Sequence, residues 1–345
     1  MAISSIAPQT GTTFGGTQVT IVGTNFAAGA TVSFGGAPAA SVTVESPTRL
    51  TAVTGQSPAG TVDVIVAAGG RSATLPRAFT YAPPVLGENT PPTIVSIQAL
   101  GARTNEPPQF ADLGEAITAT AFVRDAETPI SQLTFEWTSD VGTFSGGGPV
   151  VQWRAPGGGT TPSSATLTVT VIEKYQGADP SGLPVTKENR VSLSTMVSVH
   201  DSRSEIGSLA RQFLLDFSDS GIRDVGYILR NFVVNDRCPN GKANEMSDVE
   251  FNRQHFVINA SSIGSASVSI AFNDTCPFRL RSADACAQVP SDWTSTSLDD
   301  KTKGRVTGID QVTAVYDPSR QRWGLCDSDF DGQSATPASL RGFIR

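Results

Sequence analysis

Gly15-Gly16-Thr17-Gln18-Val19-Thr20-Ile21-Val22-Gly23-Thr24-Asn25-Phe26 is the stretch from which the fold is read. The glycine pair supplies the positive φ that a tight hairpin turn needs. Val19 and Ile21 then flank Thr20 with the period of a strand that buries one face. Gly23-x-Asn25 turns the chain, and Phe26 delivers an aromatic to the core. The same short bursts recur as Val32-Ser-Phe34, Val62-Asp-Val-Ile-Val66 and Phe79-Thr-Tyr81. Gly or Pro clusters separate them, which is the pattern of an all-β sandwich.

Further residues carry a resemblance. Ile3-x-x-Ile6-x-Pro8-x-x-Gly11 precedes the opening stretch, Val32-x-Phe34-Gly35-Gly36 follows it, and Ala78-Phe-Thr-Tyr81 closes the segment. Together they resemble the IPT/TIG immunoglobulin-like family across nearly all of residues 1–83. The resemblance implies an extracellular sandwich used as a spacer, an adhesive module or an accessory to carbohydrate-active proteins, and no catalysis. A plain spacer is the simplest of these. Residues 84–92 follow as a proline-rich linker, stiffened toward polyproline II.

Residues 93–200 read as a second all-β unit. Strands are expected at Ile94–Leu100, Ala116–Arg124, Leu133–Trp137, Val150–Trp153, Ala165–Ile172 and Val191–Val199. Trp137 and Trp153 fall on inward faces and are expected to fill a core. The run from Phe122-Val-Arg-Asp125 through Leu133-Thr-Phe-Glu-Trp137 to Ala165-Thr-Leu-Thr-Val-Thr-Val171 resembles a bacterial Ig-like domain of the polycystic-kidney-disease type. Asp125 and Glu127, near the linker, suit either a calcium site or solvated loop acids.

After His200 the period changes. Ile206, Leu209, Ala210, Phe213, Leu214 and Phe217 form the stripe of an amphipathic helix, with Ser202 and Glu205 as a capping box. Shorter helices are expected over Arg223–Phe232 and near Glu245–Phe251. Strands are expected at Gln254–Ile258, Ala266–Asn273, Gly304–Tyr316 and Gln321–Cys326. Helices first and then an antiparallel sheet make residues 201–345 an α+β domain. With Val312-x-x-Val315-Tyr316 and Arg322-Trp323-x-Leu325 as a strand pair, it resembles the nuclear-transport-factor-like (cystatin-type cone) fold. That resemblance implies helices packed on a curved sheet around a pocket, and no particular activity. The fold class is thus two all-β Ig-like sandwiches followed by an α+β domain with N-terminal helices on a curved antiparallel sheet.

Composition limits the function. Only 17% of residues are charged, and the net charge of −7 disfavours nucleic acid, whose phosphates need a basic face. By segment the charge is +1 over residues 1–83, −5 over 84–200 and −3 beyond. No apolar run reaches the roughly 18 residues of a membrane span. Cys238, Cys276, Cys286 and Cys326 all lie in the last domain, an even set that reads as two disulfides in an oxidising compartment or, failing that, as buried thiols. Cys276 with Cys286 and Cys238 with Cys326 is the expected pairing. Secretion calls for a leader, yet Met1-Ala2-Ile3 runs straight into strand-like sequence, so the sequence is expected to begin at the mature chain.

Asp327-Ser-Asp329-Phe-Asp331-Gly332 matches the D-x-D-x-D-G start of a calcium loop. Its twelfth position falls at Ala338, where a bidentate Glu belongs, and Pro337 opposes a following helix. Two readings stand: weak calcium binding at Asp327, Asp329 and Asp331, or an acidic turn after a strand. No other cofactor is indicated. Only His200 and His255 offer imidazoles, and neither sits in a serine or cysteine nucleophile framework. His255 is expected in a strand, sharing a face with Val257; an acid–base pair with Asp248 or Glu250 in a cone pocket is one reading, and helix-cap and surface roles are the simpler one.

The expectation is a non-enzymatic, secreted or cell-surface bacterial structural or adhesion protein acting by protein–protein contact, with self-assembly into a surface filament or layer through exposed strand edges as one form of that contact. The alternatives are a ligand-binding or enzymatic cone carried on spacers, and a carbohydrate-binding accessory protein contacting surface glycans. A deep pocket lined by His255 or paired acids supports the first alternative. Exposure of Trp137, Trp153 or Trp293 supports the second.

Overall fold

The computed structural model describes residues 1–85, 87–275 and 282–334. The chain divides into two compact units. Met1–Thr93, Arg124–Thr134 and Val171–Val191 make one; Ile94–Val123, Phe135–Thr170 and the chain from Ser192 onward make the other.

In the first unit, residues 2–82 form two facing sheets. One runs in the order Ala2–Ala7, Gln18–Thr24, Arg49–Val53, Ser41–Ser46; the other runs Thr10–Thr12, Arg71–Ala82, Gly60–Ala68, Thr31–Phe34, Ala37–Pro38. The alternation read from the opening stretch is realised, since Val19 and Ile21 are fully buried while Gln18 and Val22 are exposed. Phe79 sits edge-on to Phe34 and Tyr81, with ring centroids 5.1 and 5.0 Å away. Each such side chain removed from water contributes about 1.5–3 kcal/mol. Gly35 turns the hairpin at φ 62°, and any Cβ there would strike Val62. In the linker, Asn89 donates to Glu173 and Thr90 donates to Glu127.

The second unit contains the core of the middle sandwich. Its sheets run Thr93–Leu100, Ala116–Arg124, Val150–Arg154, Thr143–Ser145 and Phe110–Asp112, Pro184–His200, Ser163–Ala178, Thr134–Ser139. Trp153 is fully buried and Trp137 half-buried; their indole N–H groups donate to Val141 O (3.2 Å) and Gly148 O (3.0 Å). Both fill the core as the spacing suggests. In each sandwich the chain switches sheets early, and a short segment pairs parallel with the last strand: Thr10–Thr12 with Thr80–Ala82, and Phe110–Asp112 with Ser198–His200.

The strand ending at His200 leads directly into helix α1 (Ser202–Ser218). Ile206, Ala210, Phe213 and Leu214 are its buried stripe. The cap is Asp201, whose side chain accepts from Ser204 N, rather than Ser202. Glu205 nevertheless reaches back to the N–H of Asp201, as a capping box would. Helix α2 spans only Val225–Ile228, and α3 runs from Gly241 to His255, longer than the stretch near Glu245–Phe251 suggested.

The antiparallel sheet has the order Phe256–Ile263, Ser282–Ser297, Lys303–Asp317, Arg322–Ser334, and Ser267–Thr275 also pairs with Ser282–Ser297. Ser282–Ser297 is a strand that the sequence reading lacks. Bulges interrupt the register between Ala260 and Ser262, between Ile270 and Asp274, and between Thr313 and Ala314; such bulges bend a strand. The helices and this sheet share one apolar core, and Phe110 of the middle sandwich belongs to it. Its ring stacks on His200 at 5.0 Å and meets Tyr316, Phe272 and Trp323 edge-on.

Candidate functional site

Two of the concave sites among the described residues of the second unit gather polar and charged side chains around an apolar lining. The larger is a groove of about 470 Å³ between α1, the segment Arg230–Val233 and the start of the last strand. That segment lies against the strand by a parallel bridge, Leu325 N donating to Asn231 O and Val233 N to Leu325 O, both at 2.9 Å. The approach is close enough that only glycine fits at Gly324, where a Cβ would overlap Val233. Buried Phe232 and Trp323 with half-buried Leu209 supply apolar lining, and Arg230, Arg320 and Arg322 are exposed around it.

Behind the groove lies a buried polar chain. His200, fully buried, contacts Glu205 through Nδ1 at 2.9 Å and Ser198 Oγ through Nε2 at 2.7 Å. Tyr316 Oη is 3.3 Å from the same Nε2. Burial pushes the Glu205 carboxyl up, but the His200 contact outweighs it, so the group stays ionised below its ordinary range. Trp323 Nε1 donates to Ser202 Oγ at 3.0 Å, and Ser202 in turn donates to Asp112. His200 is therefore a tied structural imidazole without access to a substrate.

The smaller site is a chamber of about 80 Å³ lined by Glu245, Asp248, Asn252, Asp310, Asp329 and aromatic side chains including Phe217 and Trp293. Glu245 accepts from Ser328 Oγ (2.7 Å) and Ser328 N (3.1 Å). Burial drives its pKa up to about 7, against the Ser328 bonds and with help from Asp327 and Asp248. Asp310 is raised to about 6 by burial, although Ser291 Oγ and Trp293 Nε1 donate to it. A carboxyl that titrates near neutrality can exchange protons at physiological pH. The space beside these acids, however, is only about 80 Å³.

The sequence-predicted residues fall elsewhere. Asp327, Asp329 and Asp331 lie within the strand Arg322–Ser334, opposite Thr313, Gln311 and Ile309, and not in a loop or a turn. The partner strand Lys303–Asp317 is long enough to pair that far. Alternate strand residues sit roughly 6.7 Å apart with parallel side chains, which does not gather oxygens around an ion at the ~2.4 Å calcium requires. Among the described residues, no group of three or more His, Cys, Asp or Glu side chains converges as a metal site.

Asp125 Oδ1 accepts from the N–H groups of Glu127 and Thr128, an Asx turn. His255 ends α3 instead of lying in a strand, half-buried, with Asp299 at 3.3 Å, and it does not line the chamber. Cys238 and Cys326 form a disulfide with Cα atoms 5.7 Å apart. Cys286 is also disulfide-bonded, while Cys276 lies outside the described residues. Trp153, Trp293 and Trp323 are buried, so none offers an open face to a sugar. Sequence reasoning missed Glu245, Asp310 and the three groove arginines, which come together only through pairings far apart in the chain. No helix among the described residues is long and apolar enough to cross a membrane.

No curated protein matches the chain. Among solved structures, the plexin A4 extracellular region is 20% identical over 47% of this chain and 13% of its own, with a TM-score of 0.21. SGBP-B from a complex xyloglucan utilization locus in Bacteroides uniformis is 14% identical over 87% of this chain and 67% of its own, with a TM-score of 0.19. The D0-D1 domain of intimin is 15% identical over 56% of this chain and 99% of its own, with a TM-score of 0.17. The chain thus spans a small part of the plexin ectodomain, and likeness at these TM-scores carries no argument about function. The one family match is confined to the N-terminal sandwich: residues 1–81 match the IPT/TIG domain.

Proposed function

We propose that this chain is a secreted or cell-surface bacterial protein that acts by binding another protein, without turnover, through its C-terminal domain. In this reading the middle sandwich is an Ig-like domain of the polycystic-kidney-disease type, and the helices with their bulged sheet are a nuclear-transport-factor-like cone. The observation that carries the binding reading is one of size. The groove of about 470 Å³ lies within the range of roughly 300–1,000 Å³ typical of ligand sites. The acid-lined chamber of about 80 Å³ lies far below it. An enzymatic cone keeps one observation in its favour, the raised carboxyls of Glu245 and Asp310, but they face too little space for a substrate. The IPT/TIG match and the disulfide fit an extracellular setting.

Beads coated with the full chain test the reading. They should adhere to bacterial cells, and protease treatment of those cells should abolish adhesion while glycosidase treatment leaves it. Adhesion that survives proteolysis but not periodate would move the protein to the glycan-binding class, and no adhesion would remove the contact function.

A further inference from the structure

We propose that the groove beside α1 receives an acidic peptide segment of a partner protein, with carboxylates on Arg322 and Arg320 and an apolar side chain between them on Phe232 and Leu209. This rests on the reading that the chain works by protein contact. The three guanidiniums around the groove are unequally committed. Arg230 is used internally: it pairs with Asp216, donates to Tyr227 O at 2.8 Å and lies 4.0 Å over the Tyr227 ring. Arg320 has one long contact, 3.7 Å to Asp317, which leaves most of its donor fork open. Arg322 makes no hydrogen bond or ion pair with any described residue, although it is exposed on the same rim.

The acid in the lining, Glu205, forms no ion pair with them. Both oxygens of Glu205 are occupied, Oε2 by His200 and Oε1 by the N–H of Asp201. Open cationic forks on this groove stand out in a chain of net charge −7. A guanidinium fork matches a carboxylate bidentately.

The lining decides what carries the carboxylates. Phe232 and Trp323 are each only 4% exposed, so they form an apolar floor and not the open ring face on which a sugar stacks. A long polyanion such as nucleic acid would meet the negative charge of the remaining surface. A short extended peptide avoids that by presenting its acids only at the rim. Asn231, also on the groove, adds an amide that can pair with a peptide backbone.

The test is selection of octapeptides by display on the immobilised full chain, followed by titration calorimetry of the enriched peptide with wild-type and variant chains. The expected result is enrichment of Asp or Glu flanking an apolar residue, with affinity falling about tenfold in Arg322→Gln and further in the Arg320→Gln/Arg322→Gln pair. Arg203→Gln, an exposed arginine of α1 outside the groove, should bind as wild type. Added salt should weaken binding as it screens the exposed pairs. Peptides without acidic bias, unchanged affinity in Arg322→Gln, or preference for a uronic-acid oligosaccharide over every peptide would each overturn the proposal. Bead adhesion that persists in Arg322→Gln moves the contact away from this groove but keeps the binding function; absence of adhesion in the wild type removes both.

Discussion

Replacing Glu245 by Gln should stabilise the protein at alkaline pH, and the size of the effect follows from where the carboxyl sits. Glu245 is 5% exposed, beside Asp327 and Asp248, and titrates at about 7 in the fold against its ordinary 4.5. A group whose pKa is raised by folding stabilises the fold while protonated, and loses that contribution as pH climbs from the unfolded value through the folded one. The window here is therefore pH 4.5 to about 7. A displacement of about 2.5 pKa values at 1.36 kcal/mol each puts the cost of ionising the folded protein near 3 kcal/mol at about pH 8.

Asp310, raised from 3.8 to about 6, acts in the same direction over a lower window. Glu205 and Asp317 are depressed below their ordinary values, so their contributions are lost only at more acid pH and leave this window clear. Glutamine keeps the volume and both partners: its carbonyl accepts from Ser328 N, and its amide donates to a rotated Ser328 hydroxyl. Melting should be followed calorimetrically at about pH 5 and about pH 8. E245Q is expected to gain up to about 3 kcal/mol at the higher pH, or about 6–12 °C for a unit of this size, and to flatten the decline seen in the wild type. A wild-type melt that does not change over that interval, or an E245Q protein no more stable at the higher pH, would refute the assignment of a buried, strained carboxyl.

Three further outcomes are expected. Exchanging Cys238 and Cys326 for Ser opens a crosslink between positions 88 residues apart and should cost about 4–5 kcal/mol in urea unfolding; a loss below about 1 kcal/mol would show that the segment is held without it. Phe110→Ala should cost about 3–5 kcal/mol and unfold the α+β region together with the middle sandwich, which tryptophan fluorescence can follow through Trp323 and Trp153. Calcium at about 1 mM should leave the melting temperature where chelator leaves it, because extracellular loops of that affinity need converging oxygens; a rise would restore Asp327, Asp329 and Asp331 as ligands.

The elements that the sequence revealed are those whose apolar residues are large and periodic. Val19, Ile21, Phe34 and Phe79 announced the first sandwich, and the stripe from Ile206 to Phe217 announced α1. Ser282–Ser297 also alternates, with Ala283, Ala285, Ala287 and Val289 buried, but the alternation is written mostly in alanine, which carries little strand preference. A proline at 290 hid it further. The acidic run after Cys326 misled for the opposite reason: three aspartates at period two fit a metal loop and a strand equally well, and only the length of the partner strand decides between them. The chamber had no local signal at all. Glu245 meets Ser328 across 83 positions, and its carboxyl is perturbed only because α3 covers the sheet there.

The same long-range pairings change what the middle sandwich can be. A passive spacer can be exchanged for another of equal length, but residues 93–200 supply parts of the C-terminal core. Asp112 accepts from both the N–H and the hydroxyl of Ser202, and Ser202 Oγ receives the indole N–H of Trp323 on the groove floor. Arg103 ion-pairs with Glu106, Asp112 and Glu115 while lying 5.0 Å over the Phe272 ring. The strand that ends at His200 also carries the imidazole that holds Glu205 Oε2, and so fixes the carboxylate in the groove lining. The positions of Trp323 and Glu205 in the groove are thus set partly from the sandwich side. A C-terminal domain cut at residue 201 would lose Phe110, Asp112 and His200 together, so the groove is a property of the whole second unit.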